Sequence, residues 1–342
     1  MHIKTFRLLV PLLSVTAALL CSTLFIIVAG ADPLLIYNKI YKATLGSGYG
    51  AGQVIFKATT LIFTGLAVAL PFKVRLFNIG GEGQLQVAAF AVAVVAALLP
   101  STFSPLLSIS LSMLAGMSAG AFWALLAGVM KVRFGINEVI STIMLNFIAQ
   151  GLTGYLLTVH FAVPSTEHTA PINLSSASPH LDALTGWFRR SPANLSALAA
   201  VVCAVVTSIL LFQSRFGYEM RAVGLQPEAA EYAGINKSRH ILVVMALSGA
   251  LAGLGASNMV LGYKLYYESG LTTGAGFSGI AVALLAGAHP LMVMISALFF
   301  AFLEYGGLAV NAVIPKDIFM MIEAIIILLL ISFSALFKNR QH

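Results

Sequence analysis

Long apolar runs, separated by short stretches of charge, glycine or proline, recur along the whole chain. They occupy residues 8–30, 54–71, 84–99, 106–130, 136–160, 195–212, 241–262, 274–288, 291–310 and 318–337. Most are near the roughly 20 residues that a helix needs to cross about 30 Å of hydrocarbon. The second, third and eighth runs are short or weak. The pattern predicts an all-α polytopic membrane protein of about ten transmembrane helices (eight to ten), the lower number applying if two weak runs are re-entrant. Lys4 and Arg7 precede the first run, which is longer than the apolar core of a secretory signal and is read as a retained span. Residues 31–52 leave room for a short interfacial helix carrying Tyr37 and Tyr41.

Two of the short runs open on glycine. Phe77-Asn78-Ile79-Gly80-Gly81-Glu82-Gly83-Gln84 precedes the third, and Gly270, Gly274, Gly276 and Gly279 open the eighth. Glycine costs a helix about 1 kcal/mol relative to alanine, so the third segment reads as irregular polar backbone followed by a short helix. Such backbone is tolerated at membrane depth only where protein buries it or water bathes it. Ten spans divide into two fives, and a repeat of odd number is inserted upside down relative to its partner. Matching Gly-interrupted segments in two inverted five-helix halves point to a pathway near the midplane. Close helix packing is the plainer use of any one of these glycines.

Composition settles the compartment. Hydrophobic residues make up 59% of the chain and charged residues 9%, with a mean hydropathy of +0.95; soluble domains carry about 25% charged residues. The net charge of +7 therefore reflects cytoplasmic loops and anionic lipid, not nucleic acid. With the N-terminus inside, twelve basic residues fall on the cytoplasmic side: Lys4, Arg7, Lys73, Arg75, Lys131, Arg133, Arg215, Arg221, Lys237, Arg239, Lys338 and Arg340. Seven of the nineteen fall outside. Both termini are thus expected to be cytoplasmic. The whole chain, 1–342, reads as one transmembrane domain with an external loop at 161–193. Cys21 and Cys203 lie in apolar runs and suggest neither a disulfide framework nor a metal site.

The most informative polar stretch is the cytoplasmic segment 214–240. Pro227 at a first helical position, Glu228 near the positive helix end and Gly234 as a stop define a helix of about seven residues. Alone it is too short to be stable, so a partner must hold it, either the headgroup surface or a groove on a soluble protein.

Four stretches carry a family resemblance: FNIGGEGQ (77–84), NEVISTIMLNFIA (137–149), RAVGLQPEAAEYAGI (221–235) and GFSGIAVALLAGAHP (276–290). They resemble permease subunits of bacterial ABC importers, in the branch handling nucleosides and simple sugars and related to ribose and branched-chain amino acid permeases. The likeness spans nearly the whole chain. It implies a multi-pass protein of the bacterial cytoplasmic (inner) membrane that works with a cytoplasmic ABC ATPase, a second permease subunit and an extracytoplasmic binding protein. Two different permeases are favoured over two copies. The substrate it implies is a nucleoside, most readily a purine nucleoside, with riboflavin or a simple sugar as the alternative.

The resemblance also assigns residues. Arg221, Gln226, Pro227, Glu228, Ala229, Ala230, Gly234 and Ile235 would form the coupling helix and its flanks, docked on the ATPase. Asn78, Gly80, Gly81, Glu82 and Gln84 would form the broken-helix motif beside the substrate pathway. Glu138, Asn146 and Gln150, at spacings of eight and four on one face of the fifth helix, join that pathway, as does Phe277 as a stacking ring. Interhelical hydrogen bonding is the plainer role for each polar residue. Glu304 and Glu323 are candidate partners for Lys57 or sit near an interface. Tyr263, Tyr266 and Tyr267 either stack on a planar ring with Phe277 or form an aromatic belt, which suits the tyrosines better.

No G-x-x-x-x-G-K-[ST] occurs, so no phosphate-cradling loop can form. The chain is expected to be non-catalytic and to bind no cofactor, with ATP and magnesium on the partner ATPase. A competing class is an ion-coupled secondary transporter using Glu82, Glu138 or Glu304. A membrane receptor that moves no solute is another.

Overall fold

The computed structural model describes residues 30–315 throughout, 22–28 ahead of them, and single residues further toward either end. Most of the predicted first run and nearly all of the tenth, with Glu323, lie outside the described residues. Within them the regular structure is helical. Pro33–Thr44 (α1) is the expected short helix, capped by Asp32. Gly48–Phe72 (α2), Gly81–Leu98 (α3), Pro105–Phe134 (α4) and Glu138–Leu156 (α5) follow. Then come Ser196–Gln213 (α6), Arg215–Leu225 (α7), Pro227–Tyr232 (α8), Lys237–Met259 (α9), Ala275–Leu285 (α10) and Pro290–Ala309 (α11). Seven of these (α2, α3, α4, α5, α6, α9 and α11) are long and apolar enough to cross a membrane, and α10 is a shorter apolar helix.

Local chemistry sets the boundaries. Ser47, Asn137, Ser214 and Asn236 each accept a hydrogen bond from a first-turn amide of α2, α5, α7 and α9, which satisfies donors that a helix start leaves open. Pro105, Pro227 and Pro290 sit at the starts of α4, α8 and α11, where the missing N–H costs nothing. Gly135, at φ +66°, ends α4.

The helix α2 is apolar all round and buried along most of its length, as such a helix must be. It packs against α9, α10, α11 and α6. The tightest contact is between α4 and α9. A Cβ added to Gly249 or Gly253 would lie 2.0 or 2.2 Å from the carbonyl oxygens of Gly120 and Gly116. Paired small residues of this kind let membrane helices meet backbone to backbone. By contrast, α5 turns Ile140, Met144, Phe147, Ile148 and Tyr155 outward, all exposed.

One end, the basic end, carries Lys73, on whose backbone Gly224 of α7 lies, together with Arg221 and Lys131. At the other end the loop 161–193 folds over the helix ends: Thr169 N–H donates to Tyr267 O, Ile172 N–H to Leu265 O and Ser178 N–H to Leu261 O, each at 2.8 Å. These hydrogen bonds tie the loop down onto the helix ends.

Two expectations change. The irregular backbone before α3 is residues 73–80, and Gly81 and Gly83 already belong to the helix; at Gly83 an added Cβ would lie 2.9 Å from Asn146 Oδ1, so close packing accounts for the glycine there. The segment 214–240 holds two helices. The additional one, α7, forms because Met220 and Val223 bury against the end of α6.

Candidate functional site

The break before α3 is stitched by amides. Asn78 Oδ1 accepts from Gly80 N (2.9 Å) and Gln84 Nε2 (3.1 Å), and Asn78 Nδ2 donates to Ser248 Oγ at 2.7 Å. From α5, Asn146 Oδ1 accepts from Gly83 N at 2.9 Å while its Nδ2 donates to Ile79 O at 3.0 Å. Thr142 Oγ1 accepts from Ile79 N. Each buried polar group left unpaired here would cost about 1–3 kcal/mol, so these side chains hold the irregular backbone in place.

The start of α10 is held from across the molecule. Glu82, in the first turn of α3, accepts from Thr272 Oγ1 (2.5 Å) and Gly274 N (3.2 Å) on Oε1, and from Gly276 N (2.8 Å) on Oε2. Gly274 stands at φ +83°. A Cβ on Gly276 would lie 2.2 Å from Glu82 N, so only glycine permits this approach. The far end of α3 sits under Asn173 of the external loop. Beyond α10, His289 reaches Phe212 at the basic end. The two helices therefore run in opposite directions from one meeting point between the two ends of the bundle. Each helix start carries about half a positive charge, and the single carboxylate of Glu82 lies between them.

Beside this junction is a cavity of about 310 Å³, opening on the outward face of α5. That is near the low end of small-molecule sites, roughly 300–1,000 Å³. Of the residues expected on the pathway, Glu82, Asn146, Gln150 and Phe277 line it. Asn78, Gly80, Gly81 and Gln84 stand behind its wall. Glu138 is elsewhere: it is the first residue of α5, at the basic end, and pairs with Lys131 at 2.8 Å. Lining residues that the sequence did not single out include Gln86, Phe147 and Thr273. Phe147 was open to detection, since it is one turn from Gln150. Tyr267 corrects the belt expectation. It is 1% exposed and packs edge-on to Phe90, because the external loop covers it. Among the described residues, no lysine, arginine or histidine lines the cavity. Lys57 pairs with Glu304 at 2.5 Å, remote from it.

At the basic end, α8 stands out into solvent. Gln226, Glu228, Ala229 and Gly234 are exposed, Tyr232 is 95% exposed, and Pro227 and Ile235 are half-buried; only Ala230 is tucked in, at 4%. Gly234, at φ +81°, turns the chain toward α9. Arg221 points away from this surface. Its guanidinium donates to Leu211 O and lies over the Phe212 ring. His289 stacks on the same ring at 5.1 Å, and burial, followed by the charge of Lys73, lowers its pKa below the ordinary histidine value.

Residues 50–331 match the family model described as branched-chain amino acid transport system / permease component. The guanosine ABC transporter permease protein NupP of Bacillus subtilis is 34% identical, over 95% of this chain and 93% of its own length. The nucleoside ABC transporter permease protein NupB of Lactococcus lactis is 32% identical, over 96% and 91%. The glucose ABC transporter permease protein TsgB13 of Haloferax volcanii is 34% identical, over 96% and 88%. No solved structure matches the chain.

Proposed function

Because this chain belongs to the family of branched-chain amino acid transport-system permease components, we propose that it is the membrane-spanning subunit of an ABC importer for nucleosides. The observation that carries this reading is the polar cavity at the meeting of α3 and α10, flanked by phenylalanines and half-open on the face of α5. Two relatives are named for guanosine or nucleosides. The glucose relative keeps a sugar as the alternative, and a cavity with two aromatic rings suits a nucleobase better than a sugar alone.

In this reading the exposed helix α8 docks on a cytoplasmic ATPase, which binds ATP and magnesium. A second permease, a different chain, supplies the other wall of the path along the α5 face. A binding protein delivers solute at the end bearing the 161–193 loop. The chain is a multi-pass protein of the cytoplasmic membrane with both termini inside. Its ten spans form two inverted halves, a reading supported by α3 and α10 leaving one point in opposite directions. ATP-driven movement of α8 would bias the bundle between outward and inward states, which works only if the partners bind the two states unequally.

Ion coupling is disfavoured because its candidate carboxylates are committed: Glu82 to the start of α10, Glu138 to Lys131 and Glu304 to Lys57. The test is uptake by liposomes containing the purified complex. Guanosine should accumulate only with ATP and all partners present. Accumulation by the chain alone, driven by an ion gradient, would overturn the proposal.

A further inference from the structure

Within the cavity the polar side chains divide into two groups. Every polar side-chain atom of Glu82 and Asn146 is already bonded to backbone or to Thr272, holding the two helix starts. Neither can turn to a solute without releasing a helix end. Gln150 is different. It is exposed, lines the cavity, and its carboxamide has no partner among the described residues. Gln86 makes only a long contact, 3.4 Å, to the Tyr267 hydroxyl. Thr273 is exposed and held at φ +43°, a backbone state that a β-branched residue rarely adopts and that is found where a site imposes it.

Phe147 and Phe277 are 65% and 47% exposed at the same cavity, and each offers an aromatic ring on which a flat solute can stack. Phe147 and Gln150 are three residues apart on α5, so ring and carboxamide are neighbours on one face.

We propose that Gln150 and Gln86 read the hydrogen-bonding edge of a planar, uncharged nucleobase that stacks on Phe147 or Phe277, with Thr273 taking a sugar hydroxyl. A carboxamide both donates and accepts, matching the paired donor and acceptor groups of a base edge. With no cation in the lining among the described residues and Glu82 nearby, a phosphorylated nucleoside is rejected. This rests on the nucleoside reading above and adds the residues that set specificity and the charge of the solute.

The experiment is uptake of radiolabelled guanosine by cells carrying the whole transporter, with competition by inosine, cytidine, ribose and guanosine 5′-monophosphate. The binding protein is the same in every strain, so a changed ranking of solutes belongs to this chain. Gln150→Ala and Phe147→Ala should each raise the KM for guanosine at least fivefold and flatten the preference between guanosine and cytidine. Gln150→Asn and Phe147→Tyr should recover most of the wild-type KM. The purified complexes should elute as wild type does, which separates loss of recognition from loss of assembly. Normal wild-type uptake with an unchanged KM and ranking in both alanine variants would overturn the residue assignment alone. A wild-type transporter that takes up glucose and no nucleoside would overturn both it and the substrate reading.

Discussion

The junction of α3 with α10 and the exposed helix α8 are built on opposite plans. At the junction, each polar atom of Asn78, Asn146 and Glu82 has a partner inside the chain, and Gly276 touches the backbone of α3. In α8, Ala230 is buried, Pro227 is half-buried and the other four residues are exposed. The first region is complete as folded; the second, in the docking role proposed for it, is completed by a partner. In a chain whose energy must arrive from outside, the stiff part surrounds the cavity, and the surface offered to a partner contributes little to the fold.

Substitutions at the junction should therefore cost stability, and those on α8 should cost coupling. Gly276→Val places three carbons where a single Cβ would already be 2.2 Å from Glu82 N. Overpacking against backbone that cannot move aside should destabilise by about 3 kcal/mol. Thermal unfolding of the detergent-purified protein should show a large fall in midpoint, with uptake abolished. A midpoint unchanged within error would mean that the two helix starts do not touch.

Glu82→Ala comes next. It leaves the Thr272 hydroxyl and the Gly274 and Gly276 amides without their acceptor, a loss of roughly 2 kcal/mol once water reaches some of them. Glu82→Gln keeps an acceptor on one atom and should fall between alanine and wild type. If glutamine is as damaging to uptake as alanine while leaving the unfolding midpoint intact, the charge acts on transport and not on the helix end.

On α8 the expectation reverses. Tyr232→Ala removes a side chain that is 95% exposed, and Glu228→Arg reverses a charge at an exposed position. Each should change stability by about 0.5 kcal/mol or less. Both should weaken stimulation of the partner ATPase and lower uptake severalfold. Wild-type uptake in both variants would remove α8 from the coupling role and leave the contrast with the junction a matter of exposure alone.

The sequence revealed each of these regions to a different depth. The α8 segment was legible because its signals are local: Pro227 starts it, Gly234 stops it, and the residues between are too few to fold alone. Apolar run lengths likewise gave seven of the spans to within a few residues, although α7 was hidden beside α8. The junction was legible only by half. The glycines marked the breaks, but Glu82 meets Thr272, Gly274 and Gly276 about 190 positions away, and no periodicity reports such a pairing. The same limit hid the place of Gln86 in the cavity and the burial of Tyr267 under the loop 161–193. The grouping of Glu138 with Asn146 and Gln150 failed for another reason. Shared helix face was read correctly, but twelve residues of helix span about 18 Å, so Glu138 belongs to the basic end and not to the cavity.

The smallest effect concerns the border between the two regions, where His289 stacks on Phe212 beneath Arg221. Burial, followed by the charge of Lys73, disfavours the protonated ring, so its folded-state pKa lies below the ordinary value. A group with a depressed pKa contributes stability that is fully present above its unfolded-state value, about 6.5. That contribution declines as pH falls through the folded value, because the unfolded chain then binds the extra proton. The unfolding midpoint should thus drop slightly between pH 7 and pH 5, and His289→Gln, which cannot take up a proton, should lose that part of the pH dependence. Because the same ring anchors the end of α6 from which α7 and α8 depart, wild-type coupling should weaken over the same acid range and the variant's should not. A pH profile identical in both proteins would place the ring outside the path between the junction and the docking helix.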